Sequence, residues 1–350
     1  MGFQPMSLRG ELPKLRKPTL RENAECLSGA IRCEGRDSPL ARPRISAIFG
    51  ASVSFMASVF QQQIEKAAVL VEALPYLQHF RGQTFLIKVG GSAMDDPDLV
   101  RRLLRDVVFM EVAGINPVIV HGGGKAISAA MKESGLPAEF VGGFRVTTDE
   151  AMGIVERTLS REINPGLVQG IESFGGRAIG VPGNEAFIGE RIKGWSQEQN
   201  SEISLGRVGR VTGFDISKIR AAIASEIVPV ISPIASEAGT LLSLNVNADL
   251  AASALAAELK ASKLVYLSDV LGLMRDPADE STLIHSLKVD QVEPLIADGT
   301  ISGGMIPKVR SSVEALHAGV GKVHMIDGRI SHSLLLEIFT TEGIGTEIVK

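Results

Sequence analysis

Cysteine is nearly absent: the chain has two in 350 residues, Cys26 and Cys33, both near the N-terminus. Their spacing matches no zinc pattern, and a lone pair makes neither a disulfide framework nor a redox motif. Aromatic residues are scarce, at 5% with one Trp and two Tyr. That argues against the stacking platforms that hold single-stranded nucleic acid. A formal net charge of −4 gives no basic footprint for DNA or RNA. No run approaches the roughly 18 apolar residues of a membrane span. The stretch 47–60 is too interrupted and too far from the start for a secretory signal. The reading is a soluble, cytoplasmic protein with no nucleic-acid or membrane partner and no metal-ligand motif.

What is present is an ordinary globular composition, 45% hydrophobic and 22% charged, in a chain long enough for two lobes. Residues 1–55 differ from the rest. They hold nine Lys/Arg against five Asp/Glu, a charge of +4 that leaves −8 for the remainder. Pro, Arg and Gly are scattered there without helical or strand period, so the segment is expected to be a disordered extension. It reads as a dispensable tail, or as sequence upstream of a true start near Met56. Ser58 followed by Gln61 is a capping-box signature. It predicts an amphipathic helix within 56–80, with Ile64, Ala67, Ala68, Val71 and Leu74 on one stripe and a kink at Pro75. That stripe must be covered by the same chain or by another subunit.

From residue 84 onward, short apolar runs at 84–89, 117–120, 177–181, 228–231, 264–268 and 323–327 alternate with helical patterns. Those helical stretches include 97–112, 125–134, 249–260 and 305–318. The alternation predicts an α/β fold, a mainly parallel sheet with helices on both faces. Ligands of such folds collect at the carboxyl ends of the strands. Residues 186–213 and 240–246 read as hairpin excursions.

Two of these strands end in glycine. Lys88-Val89-Gly90-Gly91-Ser92 closes the first and His121-Gly122-Gly123-Gly124 the second, and a helix follows each. Glycine lets backbone N–H groups approach an oxyanion, and a helix N-terminus adds positive potential. One such turn can be a mere tight connection; two on separate strands point to neighbouring anionic groups. No P-loop, G-x-G-x-x-G or protein-kinase signature is present. The HGGG run also occurs in esterases, but no serine here is flanked by glycine in a nucleophile elbow. Asn245-Val246-Asn247-Ala248-Asp249 precedes an Ala-rich helix that Asn247 can cap. In Gly303-Gly304-Met305-Ile306-Pro307-Lys308, Pro307 suits a first helical turn. Lys308 then opposes the helix dipole unless an anion shares its site.

In this order, FLIKVGGSAM, PVIVHGGG, GGFRVT, LNVNAD, LVYLSDVLGL and GGMIPKV resemble the amino-acid kinase superfamily, and within it the N-acetylglutamate kinases, over residues 57–350. The resemblance implies a three-layer αβα sandwich with an acyl-amino-acid lobe over 81–260 and a nucleotide lobe over 261–350. It implies ATP with Mg²⁺ and N-acetyl-L-glutamate, whose side-chain carboxylate becomes an acyl phosphate. Lys88 and Lys308 would stabilise the migrating phosphoryl group and Asp249 would hold both lysines. Gly123, Gly124, Arg145 and Asn245 would bind the acceptor; Gly90 and Gly91 would meet the phosphates. Asp269, Leu271, Gly272 and Leu273, with Ile301, Gly303, Gly304 and Met305, would line the nucleotide site. A carboxylate nucleophile is already ionised at neutral pH, so no general base is required and His121 is expected to be structural. Val89, Lys125, Phe144 and the stretch 182–205 depart from the family pattern.

The helix before the first strand and residues 332–348 resemble additions found in arginine-inhibited hexameric members. His332, Glu337 and Glu342 are the effector residues this implies. Competing readings are a kinase for N-acetyl-aminoadipate, glutamate or aspartate, and a catalytically silent metabolite sensor.

Overall fold

The computed structural model describes residues 45–196, 200–340 and 343–350. They divide into two compact units, the first ending at Gln63 and the second spanning Ile64–Lys350. Helix α1, Ile45–Phe80, begins well before the Ser58 capping box and runs through Pro75. The expected disordered extension is therefore helical over 45–55, where ISAIFGASVSF carries neither the prolines nor the charge of the upstream stretch. Residues 1–44 lie outside the described residues.

In the larger unit the strands are β1 Thr84–Val89, β2 Asn116–His121, β3 Phe140–Val141, β4 Phe144–Arg145, β5 Ala178–Val181, β6 Phe187–Ser196 and β7 Ser201–Phe214. They continue as β8 Val228–Ile231, β9 Ile234–Glu237, β10 Ser243–Val246, β11 Lys263–Ser268, β12 Ser286–Lys288, β13 Lys322–Asp327 and β14 Thr346–Val349. The helices are α2 Pro97–Val112, α3 Gly124–Glu133, α4 Asp149–Glu156, α5 Asn164–Ser173, α6 Ser217–Ala224, α7 Ala248–Leu259, α8 Val292–Ala297, α9 Met305–His317 and α10 Ser333–Phe339. Each of the six apolar runs read as a strand forms one, to within a residue or two at its ends.

Eight strands form one sheet in the order β12-β14-β13-β11-β1-β2-β8-β5, parallel throughout except between β13 and β14. Alternation along the strands divides the core between its faces. Leu86, Val118, Val120, Leu264, Tyr266 and Met325 pack with Ala252 and Leu255 of α7 and Val309 of α9. Phe85, Ile87, Val89, Ile119 and Val265 pack with Leu104 and Val107 of α2, Leu167 of α5 and Leu334 of α10. Burial on both faces is what makes these strands read as unbroken apolar runs. The result is a three-layer αβα sandwich.

The two excursions form more than separate hairpins. β6 and β7 pair with each other, and with β9 and β10 they close a small barrel. Sequence cannot show that closure, because it joins segments some thirty residues apart through the parallel pair β7–β10. A π-helical stretch, Arg157–Ile163, joins α4 to α5.

Candidate active site

β1 lies at the centre of the sheet, and Lys88, one residue before its end, points to the α7–α9 face. Asp249 stands in the first turn of α7, where a carboxylate complements the helix dipole. Asn247 caps that helix, accepting from the N–H groups of Asp249 at 2.9 Å and Leu250 at 3.2 Å. Lys88 Nζ lies 2.7 Å from Asp249 Oδ1, and Lys308 Nζ lies 3.7 Å from Oδ2. All three side chains are largely buried. Burial pushes the Asp249 carboxyl up, but the two ammonium groups outweigh it and hold the group below its ordinary value. Lys308 sits in the first turn of α9, over the ring of Tyr266 at 5.8 Å. Asp249 is thus the anion that its position requires.

A cavity of about 210 Å³ opens beside this cluster, walled by Lys88, Asp249, Asn245, Arg145 and the glycines of both turns. A side chain on Gly123 would have to displace its neighbours. A Cβ would stand 2.7 Å from both Leu159 Cδ2 and Ile163 Cδ1 of the π-helical stretch. Gly91 has φ +67°, left-handed backbone that favours glycine. Arg145 is buried and donates to Gly124 O at 2.8 Å and Ser128 Oγ at 2.7 Å, with its guanidinium 4.6 Å from the Phe140 ring centroid. No carboxylate pairs with it among the described residues. Asn245 donates to Thr147 Oγ1 at 3.0 Å, and Thr147 Oγ1 donates to the carbonyl of Arg145. Ser128, Phe140 and Thr147 escaped the sequence reading, because each acts by positioning Arg145 or Asn245 and carries no motif of its own.

His121 is fully buried and faces away from the cavity. Nδ1 donates to Gly122 O at 2.9 Å, while Nε2 accepts from Asn164 Nδ2 at 3.3 Å. Burial pushes its pKa down to about 4, so the ring is neutral at pH 7. It fixes the backbone of the second glycine turn.

Of the residues expected to hold a nucleotide, Gly90 and Gly91 wall this cavity and the others lie beyond it. Asp269 and Leu271 follow the end of β11, and the Asp269 carboxyl carbon is 3.8 Å from where a Cβ on Gly91 would be. Gly303 and Gly304 are exposed ahead of α9, and Met305 is half-buried. Gly272, Leu273 and Ile301 are buried, and the Leu273 N–H donates to Thr346 Oγ1 at 2.8 Å.

Of the expected effector residues, Glu337 lines a separate cavity of about 410 Å³ with Tyr76, Lys263, His324, Lys322 and Glu347. Lys263 Nζ donates to His324 Nε2 at 3.0 Å, and His324 Nδ1 donates to Glu337 Oε1 at 2.6 Å. Burial, reinforced by Lys322, pulls the Lys263 pKa down to about 8. His332 does not share this cavity. It takes a left-handed conformation ahead of α10 and pairs through Nδ1 with buried Asp106 of α2 at 2.6 Å. The histidine beside Glu337 is His324 of β13, whereas His332, which the family resemblance implies, lies outside this cavity. Glu342 lies outside the described residues.

The sequence profile of the amino acid kinase family matches residues 83–327. The acetylglutamate kinase of Akkermansia muciniphila is 60% identical over 295 residues, covering 84% of this chain and 99% of its own. That of Aquifex aeolicus is 46% identical over 296 residues, covering 81% and 98%. Among solved structures, N-acetylglutamate synthase from Neisseria gonorrhoeae, complexed with coenzyme A and N-acetyl-glutamate, matches with a TM-score of 0.71 at 23% identity. That match covers 81% of this chain and 63% of the synthase chain, and it speaks for the fold. By profile, by relatives and by architecture, the chain belongs to the amino acid kinase family.

Proposed function

We propose that this enzyme transfers the γ-phosphoryl group of ATP to the side-chain carboxylate of N-acetyl-L-glutamate. The observation that carries the reading is the meeting of Lys88 and Lys308 on one carboxylate beside a cavity that also holds an unpaired guanidinium. The acceptor carboxylate is ionised at neutral pH, so the site needs no base. Its task is alignment and compensation of charge as the phosphoryl group moves. Lys88 and Lys308 supply two cations, Asp249 fixes their spacing, and the glycine turns offer N–H groups. Arg145 is left for the second carboxylate of the acceptor.

Among the described residues no three His, Cys, Asp or Glu side chains cluster to hold a metal, and Asp249 is committed to two lysines. Mg²⁺ therefore fits here as a companion of the nucleotide phosphates, where it supplies further charge neutralisation. No step is assigned to it. A coupled ADP-release assay across N-acetylglutamate, N-acetyl-aminoadipate, glutamate and aspartate tests the proposal. Turnover is expected on the first. Turnover on glutamate or aspartate without it would overturn the assignment. N-acetyl-aminoadipate differs by one methylene, a difference that pockets discriminate by only about 10–200-fold.

A regulatory reading is favoured by the second cavity. Glu337 and Glu347 suit a guanidinium, and Lys263 and Lys322 suit a carboxylate, which together match L-arginine. On this reading arginine inhibits the enzyme, and Glu337→Gln raises the half-inhibitory concentration about tenfold or more. Unchanged activity of the unmutated enzyme at millimolar arginine removes the idea. The stripe of α1 also bears on assembly: within the larger unit Ile64, Val71 and Leu74 remain 59%, 67% and 48% exposed. Coverage by further copies of the chain, up to a hexamer, is the arrangement we propose, and light scattering of the purified protein tests it.

A further inference from the structure

A larger cavity of about 490 Å³ adjoins the acceptor cavity. Gly91, Gly123, Gly124, Phe140 and Arg145 face both, so they form a shared partition. Beyond it the walls are apolar, with Met94, Val100, Ile163 and Leu167 lining the space. The charged groups at its rim are already neutralised in pairs: Lys125 with Asp95 at 2.6 Å, and Glu162 with Arg157 at 3.3 Å. Apart from Gly91, none of the residues expected to contact a nucleotide lines it.

The stereochemistry of the acceptor says what would enter. An N-acylglutamate has two carboxylates, and the reactive one goes to the lysine pair. The α-carboxylate is then left for Arg145, on the partition. The carbon that bears the α-carboxylate also bears the amide nitrogen, so the acyl group starts at the partition too. Resting on the acceptor assignment above, we infer that the adjoining cavity is an acyl subsite, and that the substrate class extends to N-acyl-L-glutamates with neutral linear chains longer than acetyl. An apolar wall with a neutralised rim favours added methylenes over added charge. Each methylene that leaves water improves binding by up to roughly threefold to fourfold.

The ADP-release assay on the full chain, with N-acetyl-, N-butyryl- and N-hexanoyl-L-glutamate, tests the inference. The kcat/KM for N-hexanoylglutamate is expected within about threefold of that for N-acetylglutamate, or above it; a larger fall overturns the subsite. Gly166 of α5 lines the cavity, and a Cβ there meets nothing within 4 Å. Gly166→Leu, whose Cβ would meet no neighbour, places its side chain in this space and is expected to cut the hexanoyl-to-acetyl ratio of kcat/KM by about tenfold. Val100→Phe, from the α2 wall, serves if the first variant folds poorly. A ratio that stays within about threefold of the parent's in a folded variant overturns the inference. Acetyl turnover with hexanoyl rejected sinks the subsite alone; no turnover on any acylglutamate sinks the acceptor assignment with it.

Discussion

Lys308→Ala is expected to lower kcat by about 10²–10³-fold while leaving KM for N-acetylglutamate within about threefold, as measured by steady-state ADP release. The asymmetry follows from the geometry. Lys308 reaches Asp249 at 3.7 Å but is not a wall of the acceptor cavity. Its charge matters when negative charge builds on the migrating group, not when the acceptor docks. Alanine at this position also removes a basic group from the first turn of α9, which relieves an unfavourable dipole contact. Loss of the contact with Asp249, which keeps Lys88 as its partner, works against that gain, so denaturant unfolding of the variant is measured beside kcat to separate catalytic loss from misfolding. A kcat reduced less than about fivefold would mean that the second cation does not act on the transition state.

Asp249→Asn carries the next largest effect, on two readouts. The carboxylate neutralises two largely buried ammonium groups, and breaking such a pair deep in a core costs about 3–5 kcal/mol. Here the Asp249 side chain keeps 22% of its exposure beside an open cavity, so solvent screening lowers the expected loss to about 2 kcal/mol. Denaturant unfolding measures it. The sign with pH follows from the depressed carboxyl pKa. The parent's advantage is fully present above the ordinary carboxylate range and disappears as pH falls through the folded-state value, where parent and variant converge. Added inorganic phosphate, able to stand between the ammonium groups, should restore part of the lost stability. The kcat is expected to fall by about 10²-fold, because the lysines lose their common anchor. Equal stability of the two proteins at pH 7 would show that Asp249 does not hold the pair.

Much of this was readable from residues alone. The β-branched runs gave the strands because both faces of the sheet are buried, which leaves little polar interruption. The lysine at the start of α9 was informative through its misfit with the helix dipole, and the structure supplies the missing anion in Asp249. Asn247 both caps α7 and sets the position of that anion. Other features depended on contacts between distant segments. The barrel of β6, β7, β9 and β10 has no local signature, since hairpin patterns look alike whether or not they close. The partner of Glu337 is His324, thirteen residues away on a neighbouring strand, whereas His332 turns to Asp106 on α2. The Ser58 capping box lies inside α1 and not at its start, because the apolar run ahead of it is equally compatible with helix. The acyl cavity could not be foreseen, as its walls come from α2, α3, α5 and the turn after β1.

The strand order bears on how the enzyme could be redesigned. Segments assigned to the phosphoryl acceptor emerge from β2 and its neighbours on one flank of β1, and those assigned to the donor from β11 on the other. Lys88 alone stands on the dividing strand. On this assignment, substitutions on the β2 flank would retune the recipient molecule without touching the residues proposed to hold the energy-supplying nucleotide.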